Sequence, residues 1–245
     1  MNATILRLTA RQLFGQKRTG LVVLLVAIPI VFAMLYRWGN SSTEPQDWVA
    51  NTLFVQVIVG ALLPFVALIF GTAALGTEFE DGTAVYLLAK PIPRWEIIAS
   101  KLFIAWVATS LFVIVASLAS APIALAGSGG GGMVTAFVVA SVLAAFAYCA
   151  LFIAMSVVTS HALIVGLLYV FIWEGVLTNL FGGLRLLSVR EYTESVAHGL
   201  GGISNTILKV HLGGLEAFLL LIAISAISCY LAVRWLSRWQ IGETG

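Results

Sequence analysis

Long apolar runs, separated by short polar breaks, fill most of the chain. They fall at about 20–37, 52–76, 102–126, 133–158, 162–184 and 214–236. A membrane helix needs about 20 mostly apolar residues, so the pattern predicts six transmembrane helices. The first run carries Pro29 and the second Pro64. Neighbouring helices can satisfy the carbonyl that a proline frees, so both read as kinks rather than ends. The expected fold class is all-α, a polytopic membrane protein with residues 1–245 forming one transmembrane domain.

The polar breaks differ in character. Residues 1–19 place Arg7, Arg11 and Arg18 on one side of a helical wheel, beside an apolar arc of Leu6, Ala10, Leu13 and Phe14. Ile5, Leu8 and Lys17 interrupt that pattern. It predicts an N-terminal interfacial helix on the cytoplasmic leaflet, or else a basic tail that serves topology alone. "GSGGGG" at 127–132 lacks the Lys-Ser or Lys-Thr of a phosphate loop and reads as a turn. Between the last two runs, 185–213 sets Leu186, Val189, Tyr192 and Val196 at helical steps. "SNTILKV" follows a group of glycines there. Two short external helices capping the bundle are expected, with a solvated loop as the alternative.

The largest break is "EFEDGTAVYLLAKPIPRWEIIASK", residues 78–101, between the second and third runs. It holds seven of the 24 charged residues. Glu78, Glu80 and Asp81 open it, and an acidic start suits the dipole of a short helix over "GTAVYLLA". Lys90 stands before Pro91, where helix is disfavoured. "PRWEIIASK" then restarts a helix that runs into the third span, with Pro93 tolerated in its first turn. A short, partly apolar helix flanked by charge needs a partner groove.

Composition agrees with the pattern. The chain is 60% hydrophobic and 10% charged, with mean hydropathy +1.04. A soluble domain carries about 25% charged residues, so a water-soluble fold is excluded. A net charge of +2 gives no reason to expect a nucleic-acid partner. Cys149 and Cys229 lie inside apolar runs and read as small hydrophobes. No A-x-A-like cleavage site follows the first run, which is expected to be retained. With both termini in the cytoplasm, nine Lys and Arg fall inside and four outside, as the positive-inside rule prefers. Trp38, Trp48, Trp95, Trp235 and Trp239 fall near span ends, where indoles favour the interface.

Candidate chemistry is sparse. Glu174 lies inside the fifth apolar run, where a charge costs about 2.5–3.5 kcal/mol unless it meets protein or water. It is either a pathway or gate residue or a packing anchor, with Asn51, Gln56 or a second subunit as conceivable partners. His161, His198 and His211 have no metal-ligand spacing. No Walker, HExxH or GxSxG motif occurs, so no catalytic, cofactor-binding or metal residue is expected in this chain. Ala140, Ala144, Ala147, Ala150 and Ala154 let one helix approach its neighbours closely, within the chain or across a subunit interface.

The 78–101 pattern resembles the permease subunits of type-2 ABC exporters. In that family an acidic residue closes the second span, followed by Gly-Thr, Leu-Leu, Pro-x-x-Arg and a Lys opening the third. Glu78 or Glu80, Gly82, Thr83, Leu87, Leu88, Pro91, Arg94 and Lys101 match; Pro93 directly before Arg94 blurs the proline spacing. The resemblance implies that 78–101 is a cytoplasmic coupling loop docking on an ATP-binding subunit, with Asp81 and Val85 in the docking helix. "YVFIWEGVL" and "LRLLSVREY" look like the subfamily of nitrous-oxide-reductase-maturation and drug or bacteriocin export permeases. Two ATP-binding subunits would then hold ATP and Mg, and a second permease copy or a sibling would complete the transporter. The location would be the cell membrane, bacterial inner membrane, with export of a small molecule, peptide or lipid-like substrate. The alternatives are an ion-coupled secondary transporter and a non-transporting sensor or scaffold.

Overall fold

The computed structural model describes residues 17–39, 43–80, 93–159, 161–180, 182–204, 206–208 and 210–238. Among these residues the secondary structure is entirely helical. Helix α1 is Lys17–Trp38. Helix α2 begins as Pro45–Trp48, winds as a π-helix over Val49–Leu62 and continues as Leu63–Glu80. Helix α3 is Arg94–Leu125 and α4 is Gly131–Val158. Helix α5 comprises Ala162–Leu168, a π-helical Tyr169–Leu177 and Thr178–Leu180. A 3-10 turn, Gly182–Leu187, leads into α6, Val189–Gly201. Helix α7 is Gly214–Arg238.

Five helices are long and apolar enough to cross a membrane: Thr19–Trp38, Pro45–Gly76, Arg94–Leu125, Gly131–Val158 and Gly214–Arg238. Each overlaps an expected span, the second and third beginning at Pro45 and Arg94 rather than at 52 and 102. The run expected to span 162–184 is a shorter apolar helix, Ala162–Leu177. Sixteen α-helical residues reach only about 24 Å, less than a hydrocarbon core about 30 Å thick. Regular helix ends at Leu180, and Gly182 and Gly183 begin the tighter turn.

The ends of the bundle are set by contacts. At one end, here proximal, the Lys101 Nζ donates to Ala74 O at 2.5 Å, and a Cβ on Gly76 would touch Ser156. At the distal end Gln46 Nε2 donates to Ser128 O at 3.0 Å, and Tyr36 stacks on Trp48 at 4.1 Å. Helices α2 and α4 run parallel in the core. Phe54 stacks on Phe137 near the distal end, and Phe152 abuts Gly71 nearer the proximal one. Ala140, Ala144, Ala147, Ala150 and Ala154 are all buried inside the chain. Helix α1 lies against α3, while α7 leans on α4 and α6; both are mostly exposed along their apolar lengths.

Helix α6 differs from a surface cap. A Cβ on Gly201 would lie 2.9 Å from that of Ala136, near the distal end of α4. Its first residue, Val189, joins the Glu174 carboxylate together with Tyr148, twelve residues further along α4. The helix therefore runs beside α4 for about 18 Å, from mid-depth outward. Every residue from Val189 to Ala197 except the half-buried Arg190 is buried, polar ones included. Helices α5 and α6 meet at the level of Tyr148 on α4, joined by the turn at 182–187. "SNTILKV", expected as a second short helix, shows a single turn closed by Ile207 N and Leu208 N on Ser204 O. The expected interfacial helix at 1–19 falls almost wholly outside the described residues.

Candidate functional site

Two places carry the polar residues singled out by sequence. The first is the proximal mounting of the insert. Glu78 and Glu80 lie in the last turn of α2. Asp81, Gly82, Thr83, Val85, Leu87, Leu88 and Pro91 lie outside the described residues. Arg94 is the first residue of α3, with Pro93 at the N-cap in extended geometry and Glu96 in the first turn, where an acid suits the helix dipole. Lys101 is 1% exposed, and its ammonium sits on the Ala74 carbonyl, one turn and a half before α2 ends. A buried ammonium is costly unless hydrogen-bonded, so this contact ties α2 to α3 just behind the insert.

The second place is a polar node at mid-depth. Glu174, on the π-helical part of α5, is 2% exposed. Its Oε1 accepts from the Tyr148 and Tyr169 hydroxyls at 3.2 Å each and from Val189 N at 3.1 Å. Its Oε2 accepts from Ser188 Oγ at 2.5 Å. Ser188 in turn caps α6 by accepting from Glu191 N. The carboxylate thus closes the N-terminus of α6, where free N–H groups and the helix dipole favour an anion. Neither partner expected from sequence is there: Asn51 donates to Asp47 O and Ile207 O, and Gln56 is exposed.

Charge continues along α6. Arg190 Nε meets Glu194 Oε1 at 2.9 Å, and its guanidinium lies over Gly60 in the π-helical stretch of α2, where a Cβ would come within 3.2 Å. Glu191 Oε1 meets His211 Nδ1 at 2.9 Å. Both π-helical stretches, on α2 and α5, face this first turn of α6; such windings are frequent at functional sites. The tyrosines were legible as hydroxyls in apolar runs that need partners, and Ser188-x-x-Glu191 is a capping-box spacing. Among the described residues no group of His, Cys, Asp and Glu is arranged to hold a metal ion.

The chain's relation to known proteins adds to this geometry. A family model described as ABC-2 family transporter protein matches residues 3–223. No curated protein matches the chain.

Proposed function

The chain belongs to the ABC-2 family of transporter proteins, and from this we propose that it is the permease half of an ATP-driven exporter. It is a multi-pass membrane protein and the transmembrane component of a transporter, not its ATPase; it partners an ABC ATP-binding subunit. In the proposed assembly two such subunits hold ATP and Mg and dock on the insert between α2 and α3. Both termini and the insert then face the cytoplasm, and α5 with α6 makes the sixth crossing. Substrate leaves by alternating access, in the manner of the drug, bacteriocin and nitrous-oxide-reductase-maturation permeases that the sequence resembles. A small molecule, peptide or lipid-like cargo fits the apolar chain.

The observation that carries this reading is the mounting of the insert. Its two flanking helices are pinned together by Lys101 on Ala74 O, so movement of 81–92 is delivered to α2 and α3 together. A second observation supports pairing with another permease, a second copy or a sibling. The 3-10 turn at 182–187 leads into Ser188, which meets Glu174 at the level of Tyr148, and Gly183 and Leu187 are exposed. Irregular backbone at membrane depth must be covered by protein or line water. A partner permease on the α5 side, with a pathway between the two, meets that demand, and Glu174 would stand beside it as a gate residue.

The buried carboxylates Glu174, Glu191 and Glu194 favour a second reading, ion-coupled transport, because intramembrane acids mark proton paths. Vesicles separate the two. The permease co-purified with its ATP-binding subunit is expected to hydrolyse ATP faster than that subunit alone. The permease alone is expected to carry no proton flux to a pH-sensitive dye. Flux without ATPase stimulation would replace the first reading with the second.

A further inference from the structure

Helix α2 is held by other parts of the chain at three levels. Near its proximal end Ala74 O accepts from Lys101 Nζ. At Gly60 it admits the Arg190 guanidinium of α6. Near its distal end the half-buried Asn51, in the first turn of the π-helical stretch, donates from its amide nitrogen to two carbonyls. One is Asp47 O at 3.2 Å, on its own helix. The other is Ile207 O at 2.8 Å, in the segment that joins α6 to α7. A single continuous helix thus touches the insert at one end and this outer segment at the other.

The outer segment has the features of a part that moves. Glycine pairs bracket it, Gly201-Gly202 and Gly213-Gly214. Gly201 and Gly214 serve packing, since a Cβ there would come within 2.9 Å of Ala136 Cβ and 3.1 Å of Gly199 Cα. Gly202 and Gly213 do not. The first holds φ 55° in open space, and the second would meet only Glu216 at 3.6 Å. Such positions at the ends of elements absorb hinge rotation. Between them Ile203 and Leu208 are buried, while Ser204 and Thr206 bond each other on the exposed side. The ties to the bundle include Asn51 on α2 and Glu191 on α6, whose Oε1 accepts from His211 N and Nδ1. An element held by a few side-chain hydrogen bonds opens at low free energy.

We propose that Asn51 is a positioning residue for transport, the link through which movement of α2 reaches the segment between α6 and α7. The proposal rests on the ATP-driven reading, in which the insert moves α2; a rigid helix then carries that movement to its far end. The test uses the full permease with its ATP-binding subunit in nanodiscs and an impermeant maleimide, with adducts mapped by mass spectrometry. Labelling of Leu208→Cys should change between the nucleotide-free complex and the complex trapped with ATP and vanadate. Labelling of Gly132→Cys, in open space at the same end, should not. Asn51→Asp keeps the shape but sets an oxygen in place of the donor nitrogen, facing two carbonyls. It should abolish the nucleotide dependence at Leu208→Cys and leave capture of the ATP-binding subunit unchanged. A merely structural role would raise labelling in both states and keep the difference between them. Ile203→Cys and Asn51→Ala serve if either variant prevents insertion. A difference that persists in Asn51→Asp would overturn the proposal. So would the absence of any difference with Asn51 present although the permease stimulates ATP hydrolysis. Loss of both capture and stimulation with Asn51 present would overturn the ATP-driven reading, and the proposal with it.

Discussion

A carboxylate that accepts four hydrogen bonds from its own chain is expensive to lose and cheap to alter slightly. Glu174→Ala would strand the Tyr148, Tyr169 and Ser188 hydroxyls and the Val189 N–H, at about 1–3 kcal/mol for each group left unpaired. Glu174→Gln keeps one acceptor and loses about one such contact. Thermal unfolding in detergent should therefore rank wild type above Gln, and Gln far above Ala; equal midpoints for Gln and Ala would remove the capping role.

At the scale of elements, the legible helices are those whose apolar runs end in glycine or charge. Thus α3 stops where Ala126 takes a left-handed conformation (φ 39°) before "GSGGGG". Its N-terminal extension back to Arg94 follows from Pro93 and Glu96. The split crossing was not legible, because an apolar run has the same composition whether its helix crosses or turns inside the bundle. In sequence, helix α6 reads as a short external cap or a solvated loop, since Glu191 and Glu194 are polar; they are buried because Arg190 and His211 come to meet them. Glu174 stood out by composition, but Tyr148 and Ser188 lie 26 and 14 residues away and meet it only through packing. The π-helical winding of α2 left no pattern except Gly60, which admits Arg190. Gly60→Leu would push against that guanidinium and against Val55 O at 2.8 Å. Overpacking of this kind costs about 1–3 kcal/mol, so a lower unfolding midpoint is expected; stability equal to wild type would free Arg190 from this site.

For the whole molecule, orientation and coupling belong together, since an ATP-binding subunit can reach 81–92 only from the cytoplasm. Gly132→Cys, at a position with open space and unstrained backbone, should be labelled by an impermeant thiol reagent from outside, and Lys90→Cys only from inside. The native thiols interfere little, because Cys149 is buried and Cys229 half-buried. The reverse pattern would invert the transporter and detach the insert from its partner. The most direct test of the central claim, that 81–92 docks on the ATP-binding subunit, is quantitative capture of that subunit by permease variants. Burying an aliphatic side chain such as Leu88 is worth about 1.5–3 kcal/mol. A rim charge such as Arg94, half-buried at the start of α3, contributes about 0–1 kcal/mol. Leu88→Asp should weaken capture about tenfold or more, and Arg94→Ala less than that, with insertion into the membrane unchanged in both. Wild-type capture by Leu88→Asp would contradict the account.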